Sequence, residues 1–250
     1  TGVQTCALPI SGLKKFAIIV LERALAKKSD KLITVGQRVA DELLQEEIGN
    51  PNQYVNIPPG VVGLKNLQNT EARKELGISD EKPVIGWLAR VTGVKNPLLA
   101  AEVAREIPEA QFIFGGDGDL SDQLKNSLPS NAKVYGWVDA ATFISACDVI
   151  LSTSENEGMP VALIEAQMAS KPVVATNVGS VIEVVINNQT GLVVSKDKDA
   201  LIGALRELLS DGAKLQRFGI EAAKHANANF SRSEEHTSEL QSRVDISYAV

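Results

Sequence analysis

Histidine is nearly absent from this chain, with His225 and His236 the only two. A reaction that depends on a histidine base, or on a metal held by imidazoles, has little to draw on. His225 sits in a polar helical stretch and reads as a surface residue. Cysteine is equally scarce: Cys6 and Cys147 stand at no metal-ligand spacing, and Cys147, beside an apolar strand, reads as a buried inert thiol. No metal site is expected, and nothing points to an oxidising compartment. The longest apolar run near the N-terminus, residues 16–21, is far too short to span a bilayer. No basic segment precedes the first apolar residues, as it would in a secretory signal. A Walker-type phosphate loop is also missing. Twenty-five basic residues stand against 31 acidic ones, a net charge of −6. With no sustained basic stripe, that balance excludes a dedicated nucleic-acid binder. Any anion must be held by locally placed cations.

The chain does have enough apolar residues, 44% of its length, to bury a core. Helical spacing covers residues 13–29 and 37–47, with short strands at 31–35 and 54–57. The triplet Pro58-Pro59-Gly60 makes a rigid bend, and the polar stretch 63–82 holds one helical segment around 72–76. From Pro83 the alternation becomes regular. Strands are expected over 84–89, 111–114, 133–135, 149–151, 173–175 and 192–194. Helices are expected over 97–107, 120–127, 140–146, from Pro160 onward, 181–186, 200–209 and 212–227. Short Val- and Ile-rich strands alternating with helices predict an α/β fold, a doubly wound parallel (Rossmann-like) sheet covered on both faces. In such sheets ligands bind at the carboxyl ends of the strands.

The most informative stretch follows the apolar run Val149-Ile150-Leu151. It is Ser152-Thr-Ser-Glu-Asn-Glu-Gly-Met-Pro-Val-Ala-Leu-Ile-Glu-Ala-Gln-Met-Ala169, a strand end, a polar loop and a helix start. Pro160 suits the first helical position, and Gly158 permits a tight turn or close approach of a ligand. The bare N–H groups of such a helix mouth favour an anion or a sugar hydroxyl. Glu157 stands at that mouth, and Glu165 is the single acid of an otherwise apolar helix, so its carboxylate requires a partner. Acids are nevertheless common in first helical turns, so neither is diagnostic alone.

A second strand end carries Arg90-Val-Thr-Gly-Val-Lys95. The planar fork of arginine and the point charge of lysine suit a diphosphate, although cations on surface loops are usually only solvated. The turn Phe114-Gly-Gly-Asp-Gly-Asp119 lacks the glycine spacing of a dinucleotide fingerprint. It serves as a tight turn bordering the cleft.

Taken together, the order Val-Asn-Ile-Pro-Pro-Gly-Val (55–61), Arg90-x4-Lys95, Gly116-Asp-Gly118, Glu157-x7-Glu165 and Pro172-Val-Val-Ala-Thr-Asn-Val-Gly179 resembles the family-4 retaining glycosyltransferases of GT-B architecture over residues 13–230. The resemblance implies transfer of a sugar from a nucleoside diphosphate with retained configuration. Arg90 and Lys95 would clamp the donor diphosphate in place of a divalent metal, and Glu157 would contact the donor sugar. Gly158, Met159, Pro160 and Val161 would present the helix mouth to the donor, and Glu165 would hold the ribose. The nucleobase would meet backbone near residues 135–138. No cofactor is implied beyond a UDP- or GDP-sugar substrate. The sequence departs from the family pattern at Ala89, where a glycine is usual, and at Pro59 and Val62, where Asn and Asp are usual.

Residues 64–231 are accordingly expected to form the donor-binding domain, and 12–63 the end of an N-terminal, acceptor-binding domain and its linker. Residues 1–11 and 232–250 resemble translated sequencing adapter and are expected to be non-native. A chain so composed would hold the donor and turn over no acceptor by itself. A non-catalytic nucleotide-sugar-binding fragment is the alternative. A sugar-nucleotide epimerase of the same architecture would need acid and histidine groups set for proton abstraction, which two histidines do not favour. The expected location is cytoplasmic, with attachment to the inner face of the membrane through an N-terminal domain left undecided. The acceptor, whether lipid, glycan or small molecule, is not legible.

Overall fold

The structure, a computed structural model, describes residues 13–65, 67–79 and 81–232. Cys6, His236 and the terminal stretches 1–11 and 233–250 lie outside the described residues.

Two parallel sheets are present. In the first, β1 (Leu32–Thr34) pairs with β2 (Tyr54–Asn56); helix α1 (Leu13–Ala26) precedes β1 in the chain and α2 (Gln37–Gln45) connects the two strands. Phe16, Val20, Leu21 and Leu25 of α1 are exposed.

The second sheet has six strands: β3 (Val84–Leu88), β4 (Gln111–Gly115), β5 (Ala132–Gly136), β6 (Val149–Ser152), β7 (Val173–Thr176) and β8 (Gly191–Val194). They lie in the order β5-β4-β3-β6-β7-β8, all parallel. The chain first winds outward from β3 to β5, then returns to β3's other side and winds outward again. That reversal between β3 and β6 is the topological switch point of a doubly wound sheet, where the strand ends splay and leave a crevice.

Helices cover both faces: α3 (Asn69–Leu76), α4 (Pro97–Glu106), α5 (Ser121–Ser127), α6 (Ala140–Ala146), α7 (Val161–Met168), α8 (Val181–Val184), α9 (Lys198–Ser210) and α10 (Gly212–Phe230). The two-residue period of the strands divides the core. Ile85, Trp87, Phe112, Phe114, Val149 and Leu151 pack on one side with α4 and α9. Val84, Ile113 and Ile150 pack on the other with α6, α7 and α10. Gly86 lets α6 come close, since a Cβ there would lie 2.3 Å from the Cys147 sulfur.

At the amino ends of β3 and β6 sits a buried polar knot. Arg73 of α3 pairs with Asp148 at 2.7 Å and donates to the Ala146 carbonyl, while the Val84 N–H donates to the same Asp148 oxygen. Lys171 donates to the Ser145 and Cys147 carbonyls, and burial lowers its pKa. Cys147 is fully buried, and the same desolvation pushes its thiol well up.

Two local expectations need correction. Pro160 lies one residue before α7, as its N-cap, and its carbonyl accepts from Leu163 and Ile164. His225 is half-buried, edge-on to Phe230, because the small residues around it let α10 press its ring inward.

Candidate functional site

The carboxyl ends of β3 and β6 open into a cavity of about 290 Å³ at the switch point. Arg90 and Lys95 follow β3, and Glu157, Met159, Pro160 and Val161 follow β6; all six line it. Gly158 and Glu165 belong to the same loop and helix but not to the cavity wall.

Local sequence explains why these loops meet. The turn after β4 packs under the Arg90 loop: a Cβ on Gly116 would fall 1.9 Å from the Ala89 carbonyl oxygen, and one on Gly118 2.3 Å from that of Val91. Gly116 also takes φ +118°, open to glycine alone. Val91 donates to the Asp117 carbonyl and accepts from Leu120. The Asp117 carboxylate is held below the usual range by hydrogen bonds from the Ser121 hydroxyl and the Gly118 N–H. These glycines therefore buttress the cationic loop.

The loop after β6 is fastened by hydroxyls. Thr153 donates to the Lys95 and Asn96 carbonyls at 3.1 and 2.8 Å and accepts from the Trp87 indole at 3.0 Å. Thr176 donates to the Ser154 carbonyl. Glu155 accepts from Asn96 and Lys196, and its pKa is lowered by the Lys196 contact first. Thr153, Ser154 and Thr176 went unassigned in the sequence; the polar run directly after an apolar strand was the available signal.

At the mouth, Lys95 Nζ lies 2.6 Å from Glu157 Oε1, and Ser154 Oγ donates to the same oxygen at 2.7 Å. The Glu157 side chain is only 9% exposed. Arg90 is exposed and makes no side-chain hydrogen bond or ion pair among the described residues. Helix α7 begins without a capping side chain, so its first N–H groups, at Val161 and Ala162, face the cavity without a capping acceptor. Glu165 is half-buried with no partner among the described residues, and burial raises its pKa. The arrangement offers cations and amide dipoles for a diphosphate beside a carboxylate suited to hydroxyls.

No group of three or more His, Cys, Asp or Glu that could hold a metal occurs among the described residues, and no helix among them is long and apolar enough to cross a membrane.

Residues 68–225 match the family described as Glycosyl transferases group 1. A D-inositol 3-phosphate glycosyltransferase of Rhodococcus jostii is 28% identical over 240 residues, 87% of this chain and 52% of that protein. The UDP-Gal:alpha-D-GlcNAc-diphosphoundecaprenol alpha-1,3-galactosyltransferase of Escherichia coli is 29% identical over 209 residues, 76% of this chain and 54% of that protein. The chain spans about half the length of these relatives. Among solved structures, Anabaena Alr3699/HepE in complex with UDP superposes with TM-score 0.86 at 19% identity, covering 96% of this chain and 70% of that one. The sucrose-phosphate synthase of Thermosynechococcus elongatus gives 0.83 at 21%, covering 95% and 64%.

Proposed function

The chain belongs to the group 1 glycosyltransferases, and from that premise we propose that it carries the donor half of a retaining, family-4-type enzyme that moves a sugar from a nucleoside diphosphate. The observation that carries this reading is the convergence of Arg90, Lys95 and Glu157 on one cavity at the sheet's switch point, facing an uncapped helix start.

Arg90 and Lys95 take the diphosphate. As the glycosidic bond breaks, negative charge grows on the departing diphosphate, and fixed cations with the Val161 and Ala162 amides meet it in place. This electrostatic set does the work of a divalent metal and lowers the need for an acid on the leaving group. Glu157 accepts from hydroxyls of the donor sugar, steered by Ser154. Glu165 holds the ribose, which supplies the partner its carboxylate lacks. The nucleobase lies toward residues 135–138, at the carboxyl end of β5. UDP is the first base to try, since the superposable Anabaena protein was solved with UDP.

Calorimetric titration with UDP and GDP tests the reading, in buffer with and without EDTA. One of the two nucleotides should bind, EDTA should not matter, and Arg90→Ala should weaken binding about 10- to 100-fold, the loss of one charge-assisted phosphate contact. No binding of either nucleotide would sink the assignment. The proposed donor half should bind donor without transferring its sugar when the 250-residue chain is assayed by itself.

A further inference from the structure

Helix α2 starts without a cap of its own: its N-cap is Gly36, which has no side chain. The acceptor comes instead from the six-stranded domain. Glu183 of α8 receives the Gln37 N–H at 2.8 Å on Oε2 and the Arg38 N–H at 2.9 Å on Oε1. Arg38 in turn reaches the Gly179 carbonyl at 3.3 Å. The fit is close, since a Cβ on Gly36 would come within 2.8 and 2.9 Å of the two Glu183 oxygens and 2.9 Å of the Ser180 hydroxyl.

The other end of this contact is the donor cavity. Ser180 N–H donates to the Glu157 carbonyl at 3.3 Å, and Gly179, at φ +44°, lies so near that a Cβ would fall 1.7 Å from that oxygen. Val35, the first residue of the clasped turn, comes to 3.9 Å from where a Gly158 Cβ would be. One carboxylate thus ties the start of α2 to a segment that grips the backbone of Glu157.

We propose that Glu183 is a positioning residue, a latch that fastens the turn Val35-Gly36-Gln37-Arg38 against the Glu157-Gly158 loop and so fixes that loop's geometry. A carboxylate spanning two first-turn amides satisfies orphan donors that α2 cannot satisfy alone. The two parts therefore stabilise one another only while docked. That the gripped loop holds a sugar rests on the function proposed above; the latch itself does not.

Amide hydrogen exchange of the ligand-free chain separates the two claims, because it needs no nucleotide. Glu183→Ala should speed exchange at Gln37 and Arg38 at least tenfold and loosen residues 153–160 with them, leaving β3 and β6 as in the wild type. Glu183→Gln, which keeps one acceptor oxygen, should fall between. Gly36→Ala, whose φ of −168° any residue adopts, should reproduce the pattern from the other side of the contact. Unchanged exchange at Gln37 and Arg38 in Glu183→Ala would overturn the latch, as would loosening of α2 without residues 153–160, or of the whole sheet equally.

Discussion

Lys95 and Glu157 neutralise one another across the mouth of the cavity, 2.6 Å apart, with Ser154 sharing the Glu157 oxygen. The two residues come from different strand ends, 62 positions apart. Lys95 is thus already engaged, and on the proposed donor reading the exposed Arg90 would be the cation that meets a diphosphate first. On the same reading a donor would draw Lys95 partly away from Glu157 and leave that carboxylate to accept from a sugar.

Charge removal at Glu157 should therefore separate the two halves of the donor. Glu157→Gln frees Lys95 and removes a repulsion from the phosphates, so UDP alone should bind about 3- to 10-fold more tightly. The extra affinity of UDP-glucose over UDP should shrink in the same variant. Calorimetry with both ligands reads the two numbers; UDP binding weakened as much as UDP-glucose binding would contradict the division of labour.

Removal of the cation should act on the fold as well. Lys95→Met strands a nearly buried carboxylate, at a cost of about 2–3 kcal/mol in urea unfolding. Adding Glu157→Gln should restore most of that stability without restoring nucleotide binding. An additive double mutant would show that the pair is not coupled.

Gly179 has no tolerated replacement. Its positive φ and the 1.7 Å approach of a Cβ to the Glu157 carbonyl make Gly179→Ala both strained and obstructed. The expected outcome is a chain that keeps its far-ultraviolet spectrum, loses about 2–4 kcal/mol of stability and no longer binds UDP measurably.

Much of the fold was legible because its signals are local. Short, mostly apolar runs of three to six residues, closed by Gly, Pro or a polar turn, placed every strand of the six-stranded sheet within about two residues. Arg90, Lys95 and Glu157 were legible as a group only through their order along the chain. Their pairing was not, because nothing in the sequence near Lys95 states that the loop after β6 folds back onto it. Thr153 and Glu183 escaped for the same reason: a hydroxyl or carboxylate acquires its role from a partner about 60 or 150 residues away. Gly116, read as a tight turn, proved to be a buttress whose meaning depends on the Ala89 carbonyl beside it.

The polar knot at the opposite end of the sheet is a stability element. Arg73→Met leaves Asp148, with a 29% exposed side chain, facing Val84 N–H without its cation. A fully buried pair broken this way costs about 3–5 kcal/mol, and partial exposure brings the expectation to about 2–3 kcal/mol. UDP affinity, measured under native conditions, should be unchanged, since the knot and the cavity lie at opposite ends of β3.

Two groups shifted by burial contribute to the pH dependence in opposite senses. His225 is held below its ordinary 6.5 by desolvation first. The unfolded chain then takes up the proton more readily than the folded one, so stability is complete above about pH 6.5 and declines as pH falls through the lower folded value. His225→Gln should flatten that decline. Glu165 is raised above 4.5 by desolvation, so its contribution is complete below about pH 4.5 and is lost as pH rises through the higher folded value. At pH 7 the desolvation of this unpartnered carboxyl group works against the fold. Glu165→Gln should therefore raise thermal stability at pH 7, by no more than about 1 kcal/mol because half the group still meets solvent, and should give no gain at pH 4. On the proposed ribose contact the same change should weaken UDP binding. A Glu165→Gln chain that is more stable at pH 7 and binds UDP as well as the wild type would leave the ribose without its proposed partner.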